Sequence, residues 1–277
     1  MTSSFDLLGA ETPESPVVIS VPHAGREYPL ALRANLRVPV ELLASLEDRH
    51  VDTVALAARG RETLIIQRLG RAWIDLNRAE HERDPAVDEG APGGHPSVKV
   101  RGGLGIVPRR TGRVSDIWRR RFSGDEIAAR IAADHRPYHA ALKEALERAH
   151  ARFGCAVLLD LHSMPPITEG NARIVTGDRF GQSCSVRYMR RVEAVVAAAG
   201  LRHIRNTPYP GGHILDRHGK PATHIHAIQL ELDRSLYLDR AFDKPGAGFD
   251  MTVSLVRATI DALADEALDT PTALAAE

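Results

Sequence analysis

The sequence predicts an α/β fold: a largely parallel sheet with helices on both faces, in a single domain spanning residues 1–277. Three observations carry this. Short apolar runs rich in Val, Ile and Leu alternate with longer amphipathic ones, the rhythm of strands connected by helices. Several of the short runs are continuously apolar, as strands covered on both faces are. No repeat or low-complexity linker interrupts the alternation, so nothing marks a domain boundary.

Taken in order, "PVVISVPH" (16–23) is a strand that ends on a histidine. Val40 to Arg59 carries apolar residues at helical spacing. "TLIIQRL" (63–69) and "AWIDLN" (72–77) read as two further strands, the second followed directly by Arg78. Residues 79–115 are the least regular part, and a long loop inside a compact domain is often functional. Ser123-Gly-Asp-Glu126 is a capping-box signature. The helix it opens is interrupted near Pro137 and runs to about Phe153, before Gly154. "CAVLLDLH" (155–162) and "ARIVTGD" (172–178) are strands, Ser185 to Ala199 a helix ending at Gly200, and "AIQLELD" (227–233) a strand. Phe249 to Leu268 makes a terminal helix.

Composition narrows the function classes. Hydrophobic residues make up 43% of the chain, a globular proportion. Lys plus Arg equals Asp plus Glu, 36 against 36, which removes a general electrostatic case for nucleic acid or an acidic membrane. One segment departs from neutrality: Lys99 to Arg121 holds eight basic residues against the single acid Asp116. By composition this is a solvated loop; the functional alternative is a basic wall for a small anion. Cys155 opens an apolar strand and reads as inert core, and Cys184, near a helix start, reads as buried. Two dissimilar cysteines give no disulfide framework, and no signal peptide or membrane-spanning run is visible, so the expected location is the cytoplasm.

Chemistry concentrates at strand ends. Of thirteen histidines, His81, His95, His135, His150 and His218 read as surface residues in polar or helical contexts. His23 and His162 differ, because apolar strands deliver both to their carboxyl ends, where open α/β sheets gather ligands. Either alone is more often a hydrogen-bonded structural residue. "LEDRHVD" (46–52) supplies Glu47, Asp48 and Asp52, with Asp48 and Asp52 expected on one helix face at i, i+4, although a charged helix surface explains them equally. Glu231 sits inside an apolar strand on the same face as Gln229 and Asp233, and a carboxylate there is costly unless paired, metal-bound or catalytic. Two neutral imidazoles, a carboxylate and an open position describe a catalytic zinc site, with a further carboxylate free to move the proton. There is no contiguous HExxH helix, no GxSxG elbow around Ser163, and no GxGxxG register at the glycine-rich turns 103–105 and 210–213. Asn77 and Arg78, closing "AWIDLNR", form a possible fork for a carboxylate; the plainer alternative is that Arg78 opens a solvated charged run, "RAEHERD".

Several segments together resemble the N-formylglutamate amidohydrolase family. They are "VPHAGREYP" (21–29), "LEDRHVD" (46–52), "DLNRAEHERDP" (75–85), "GLGIVPR" (103–109), "RPYHAAL" (136–142), "LLDLHSMP" (158–165), "GDRFGQSC" (177–184), "YPGGHI" (209–214) and "HAIQLELDRSLYLD" (226–239). The match runs in order over residues 16–240, leaving 241–277 as a C-terminal helix and tail. The resemblance implies a three-layer α/β sandwich of the phosphorylase/hydrolase-like type shared with zinc carboxypeptidases and aspartoacylases, with a mixed, mostly parallel sheet. It implies one Zn2+ ion and hydrolysis of N-formyl-L-glutamate to formate and glutamate, a step of histidine degradation. By position, His23, Asp48 and His162 would be the metal ligands and Glu231 the general base. Asn77 and Arg78 match the pair that holds a substrate carboxylate in the related aspartoacylases and carboxypeptidases. His213 stands where relatives often carry an aromatic residue, as a polar substrate contact. One departure is plain: the His-x-x-Glu pair of the wider superfamily is absent, because Arg26 follows His23 at that spacing and Glu27 comes one residue later.

The expected substrate is a small dianionic N-acyl amino acid, with no nucleic-acid or membrane partner; the oligomeric state is not legible. A second cation, Arg109 or Arg173, would meet the side-chain carboxylate, and the basic 99–121 segment gains a purpose. Two alternatives share these residues. One is another small N-acyl amino acid amidohydrolase or a carboxypeptidase-like enzyme with the same metal site. The other is a metal-binding or regulatory protein without catalysis, against which the joint presence of His23, His162 and Glu231 argues.

Overall fold

The computed structural model describes residues 3–112, 114–167 and 171–269. Arg113 of the basic segment and residues 270–277 of the expected tail lie outside the described residues. Seven strands are found among the described residues: β1 (Phe5–Leu8), β2 (Val17–Val21), β3 (Thr63–Gln67), β4 (Ala156–Met164), β5 (Ile174–Gly177), β6 (His203–Arg205) and β7 (Ile225–Asp233). They form one sheet in the order β1-β3-β2-β4-β7-β5-β6. β2 pairs with β4 and β4 with β7 in parallel, β5 pairs antiparallel to β7, and β5 and β6 are parallel again. The sheet is therefore mixed and mostly parallel, the expected α/β architecture.

The central strands explain their own sequences. Every residue of β2 and β4 is buried, and so is every residue of β7 after Ile225, which is why these runs lack a polar alternation. Helices among the described residues are α1 (Leu30–Ala34), α2 (Val51–Ala58), α3 (Val98–Arg101), α4 (Gly124–Arg130), α5 (Arg136–Phe153), α6 (Val186–Ala198), α7 (His213–His218) and α8 (Phe249–Leu268). α8 has the bounds the sequence predicts and buries Thr252, Leu255, Val256, Thr259, Ile260 and Leu263, a stripe at helical spacing packed on α2 and α6. Ser123 caps α4 with Glu126 in the expected reciprocal box. The expected interruption is a π-helical segment, Ile131–His135, and α5 follows it directly through Pro137. Gly154 ends α5 with φ +73°, a conformation glycine adopts without strain.

Two expectations fail for local reasons. Residues 72–77 are turns, not a strand. Ala72, Ile74 and Leu76 are buried apolar residues at every second position, which imitates a strand in the sequence, although Asp75 and Asn77 between and after them are buried as well. The backbone is held instead by local bonds: Trp73 N–H to the Gly70 carbonyl at 2.8 Å, Arg78 N–H to Asp75, and Asn77 N–H to the Asp75 side chain at 2.9 Å. Val40–Arg59 is likewise not one helix. A 3-10 helix, Val40–Leu46, ends before Glu47, and α2 starts after His50, whose φ of 60° is left-handed. Asp48 thus lies between helices and does not share a helix face with Asp52. The sequence also concealed β1 and β6, which are short and only part-buried.

By contact density the chain divides into two compact units. One comprises residues 1–6, 22–49 and 66–141 and carries the loops that hold His23, Asp48 and the Asp75–Arg78 turn. The other comprises, of the described residues, those within 7–21, 50–65 and 142–269, and contains β2, β4–β7, α2 and α6–α8.

Candidate active site

Within the sheet, the parallel register of β4 on β7 sets Asp160 opposite Gln229 and His162 opposite Glu231. Paired residues of neighbouring strands face the same side, so the four side chains share one face near the carboxyl end of both strands. All four are buried. His162 Nε2 lies 2.9 Å from Asp160 Oδ2, and the other Asp160 oxygen accepts the Ser20 hydroxyl at 2.8 Å. Ser20 comes from β2, whose register places it opposite Asp160. Because an aspartate oxygen accepts, His162 carries its proton on Nε2 and keeps the Nδ1 lone pair. The Gln229 amide donates to Glu231 Oε1 at 3.0 Å, which fixes the direction of that carboxylate. Gly177 on β5 lies opposite Gln229, and a Cβ there would meet the Pro210 backbone at 2.6 Å, so only glycine allows that approach.

Two residues beyond the end of β2 comes His23. His23 repeats the pattern of His162. Its Nε2 lies 2.8 Å from Asp75 Oδ1, so the proton sits on Nε2 and the lone pair on Nδ1. Asp75 is fully buried. Burial alone would raise its carboxyl, but Arg71, Arg78 and His23 hold it well below the ordinary carboxylate range. His23 Nδ1 and Asp48 Oδ2 are 3.7 Å apart, two lone-pair atoms at a distance too long for a hydrogen bond and open to a small shared cation. Asp48 is held there by its own N–H, which donates to the His23 carbonyl at 2.9 Å. Its neighbour Glu47 is engaged differently, accepting from the Tyr28 hydroxyl and pairing with Arg49 at 3.1 Å. Asp52 sits in the first turn of α2.

Asn77 and Arg78 are 7% and 6% exposed, so Arg78 is not the start of a solvated run. The guanidinium donates to the Leu104 and Asn77 carbonyls at 2.7 and 2.6 Å, and its Nε lies 3.9 Å from Asp75 Oδ2. Two histidines missed as functional support this turn. His135 and His139 are fully buried, and their Nε2–H groups donate to the Arg78 and Leu76 carbonyls at 2.8 and 2.9 Å. The expectation that His135 and His218 lie at the surface is corrected, since both are buried. His135 follows a π turn that rotates it inward, which the helical periodicity of the sequence hides.

The other nominated residues have local partners. Arg109 donates to Asp84 at 2.8 Å and to the Ser115 and Arg101 carbonyls. Arg173 pairs with Asp233 at 2.8 Å and donates to Ser235 Oγ at 3.1 Å. His213 opens α7 and is half-buried. Much of the basic segment is tied down: Arg101 to the Pro96 carbonyl, Arg119 to Leu36, Arg120 to Glu126 and Arg121 to the Asp88 carbonyl. Cys155 and Cys184 are buried and free, and burial pushes both thiols up. No helix among the described residues is long and apolar enough to cross a membrane.

Asp75, Asp160 and Ser20 are the supporting residues that sequence reasoning passed over, and Gln229 was noted there only as sharing a face with Glu231. The signal was present: "DLH" and "IDL" place an aspartate within an apolar run, where only a fixed partner makes it tolerable.

Known proteins share this arrangement of chain. The family model for N-formylglutamate amidohydrolase matches residues 15–238. An N-formylglutamate deformylase of Pseudomonas putida is 32% identical over 237 residues, covering 81% of this chain and 82% of its own length. That of Pseudomonas aeruginosa is 32% identical over 236 residues, with the same coverage. The crystal structure of N-formylglutamate amidohydrolase from Ralstonia eutropha JMP134 superposes with a TM-score of 0.84 at 31% identity, over 96% of this chain and 98% of that one. A protein of Agrobacterium tumefaciens shares the fold at a TM-score of 0.69 and 17% identity, over 96% of each chain. With most of its length matched in sequence and fold, the chain belongs to the N-formylglutamate amidohydrolase family and is an amidohydrolase.

Proposed function

We propose that the protein hydrolyses the amide bond of N-formyl-L-glutamate, releasing formate and L-glutamate, with one divalent cation held by His23, Asp48 and His162. The observation that carries this reading is the backing of both histidines: buried Asp75 and Asp160 each occupy Nε2 and leave an Nδ1 lone pair as the ligand atom. His23 Nδ1 and Asp48 Oδ2 lie 3.7 Å apart, and two neutral imidazoles with one carboxylate are a donor set suited to zinc. Bound there, the ion would supply Lewis acidity to the formyl oxygen and acidify a water molecule. The relatives' names support the choice of substrate.

The chain's own residues carry the remaining steps. Asn77 and Arg78 bind the substrate α-carboxylate, a planar anion matched by amide and guanidinium. A second cation, Arg109 or Arg173, meets the side-chain carboxylate, and His213 contributes a polar contact. Glu231, oriented by Gln229, takes a proton from the attacking water as a bond forms to the formyl carbon. The C–N bond then breaks, and Glu231 passes the proton to the departing nitrogen, so that glutamate leaves as an amine and the formyl group as formate. The cytoplasmic location expected from the sequence belongs to this reading.

A panel of N-formyl, N-acetyl and peptide substrates tests it. N-formylglutamate should give the highest kcat/KM, and activity should depend on roughly stoichiometric zinc measured by elemental analysis. A low rank for N-formylglutamate would favour another N-acyl amino acid, and a metal-free active enzyme would remove the cation.

A further inference from the structure

A cavity of about 310 Å³ is lined by none of the residues assigned to the proposed reaction. Ala31, Asn35, Trp73, Glu126, Ala129, Arg130, Ala133 and Asp134 line it, and its notable member is Arg130. That residue is 5% exposed, with its guanidinium 3.9 Å from the Trp73 ring centroid and 4.2 Å from that of Phe122. Its one hydrogen bond among the described residues runs from Nη1 to the Trp73 carbonyl, at 3.3 Å. No carboxylate among the described residues comes within ion-pairing distance of it. Burial lowers the Arg130 pKa to about 10, and the charges of Glu126, Asp134 and Asp88 offset that only in part.

The carboxylates nearby act on Arg130 through space and form no direct pair with it. Glu126 spends both oxygens on Arg120 and on the Ser123 N–H. Asp134 Oδ2 accepts the Trp73 indole N–H at 2.7 Å. On a regular helix, residues 130 and 134 would stand one turn apart and pair. The π-helical segment Ile131–His135 widens that turn, and such segments recur at functional sites. The wall thus offers a guanidinium with no directly paired carboxylate, an aspartate with one oxygen still available to a donor, and the Trp73 indole, one face of which Arg130 covers, beside three alanines.

We propose that this cavity binds a small zwitterion, an α-amino acid with an apolar side chain. Its carboxylate meets Arg130, its ammonium meets the second oxygen of Asp134, and its side chain lies on Trp73 and the alanines. Charge complementarity selects the zwitterion: a simple carboxylate leaves Asp134 unmatched, and a simple amine leaves Arg130 unmatched. Asn35 plays no polar part, because its oxygen accepts from Arg120 and its amide donates to Ala31. The site is independent of the proposed reaction.

Isothermal titration of the full chain with glycine, L-alanine and L-leucine, against acetate and methylamine, tests this. An amino acid should bind saturably, at least tenfold more tightly than acetate or methylamine, and quench or shift the Trp73 emission. Ala133→Phe, at an exposed position on the rim, should weaken binding at least tenfold while leaving N-formylglutamate turnover unchanged. Arg130→Lys should weaken it too, and Ala133→Phe keeps the test decisive if that core variant does not fold. Absence of binding at millimolar amino acid, equal binding of acetate, or unchanged affinity in Ala133→Phe would each overturn the proposal.

Discussion

Asp75 and His23 form a carboxylate–imidazole pair at 2.8 Å whose carboxylate is fixed from three other directions, by the Asn77 N–H and by the Nε and Nη2 groups of Arg71. This fixes the His23 ring and its tautomer before any ligand arrives. Asp75→Asn should therefore keep the fold near its loop but lower zinc affinity by about 10–100-fold. Competition against a chelator of known affinity, followed at constant pH, measures it. Asp160→Asn should behave alike at His162, and zinc affinity unchanged from the parent in both variants would separate these aspartates from the metal site.

Glu231→Gln removes the carboxylate while preserving its shape and its neighbour Gln229. The variant should bind zinc as the parent does, because Glu231 is not among the proposed ligands. Turnover should fall by about 10²–10⁴, the usual contribution of a positioned general base. Stopped assays with metal content determined on the same sample decide the point: unchanged turnover would remove Glu231 from the reaction, and lost metal would recast it as a ligand.

What the sequence made legible follows from how each residue is held. His162 and Glu231 were visible because strands β4 and β7 are buried throughout, so a polar side chain there stands out. His23 was visible for the same reason, two residues beyond β2. The turn at Asp75–Arg78 was misread as a strand because Ala72, Ile74 and Leu76 put an apolar residue at every second position, while local hydrogen bonds, not a ladder, hold the backbone. Its buried supports His135 and His139 come from more than fifty residues away, and no local pattern announces them. Arg109 and Arg173 have the charge the substrate calls for, yet each already has an aspartate partner, a fact only coordinates supply.

Arg78 tests the substrate anchor. Its guanidinium is positioned by the Leu104 and Asn77 carbonyls, so Arg78→Lys keeps the charge but loses the planar fork. KM for N-formylglutamate should rise about tenfold or more, roughly 1.4 kcal/mol of binding, while zinc content stays at the parent level. An unchanged KM would place the carboxylate contact elsewhere.

The last prediction concerns pH and rests on His226, at the start of β7. Its ring lies 4.5 Å from that of Tyr188, and its Nδ1 accepts the Ser185 N–H at the start of α6. Burial lowers its pKa from 6.5 to about 4, and the nearby charges of Arg187 and His224 push the same way. The unfolded chain therefore binds the proton first as pH falls. Stability contributed by neutral His226 is present above about pH 6.5 and declines as pH falls toward 4, where the folded form also protonates. His218, lowered to about 3 by burial and by Arg217, His213, Lys220 and Lys143, continues the loss to lower pH. His226→Gln keeps an acceptor for Ser185 without titrating, so urea midpoints measured from pH 7 to 4 should fall less steeply than in the parent. Parallel curves for the two proteins would show that His226 does not govern this window.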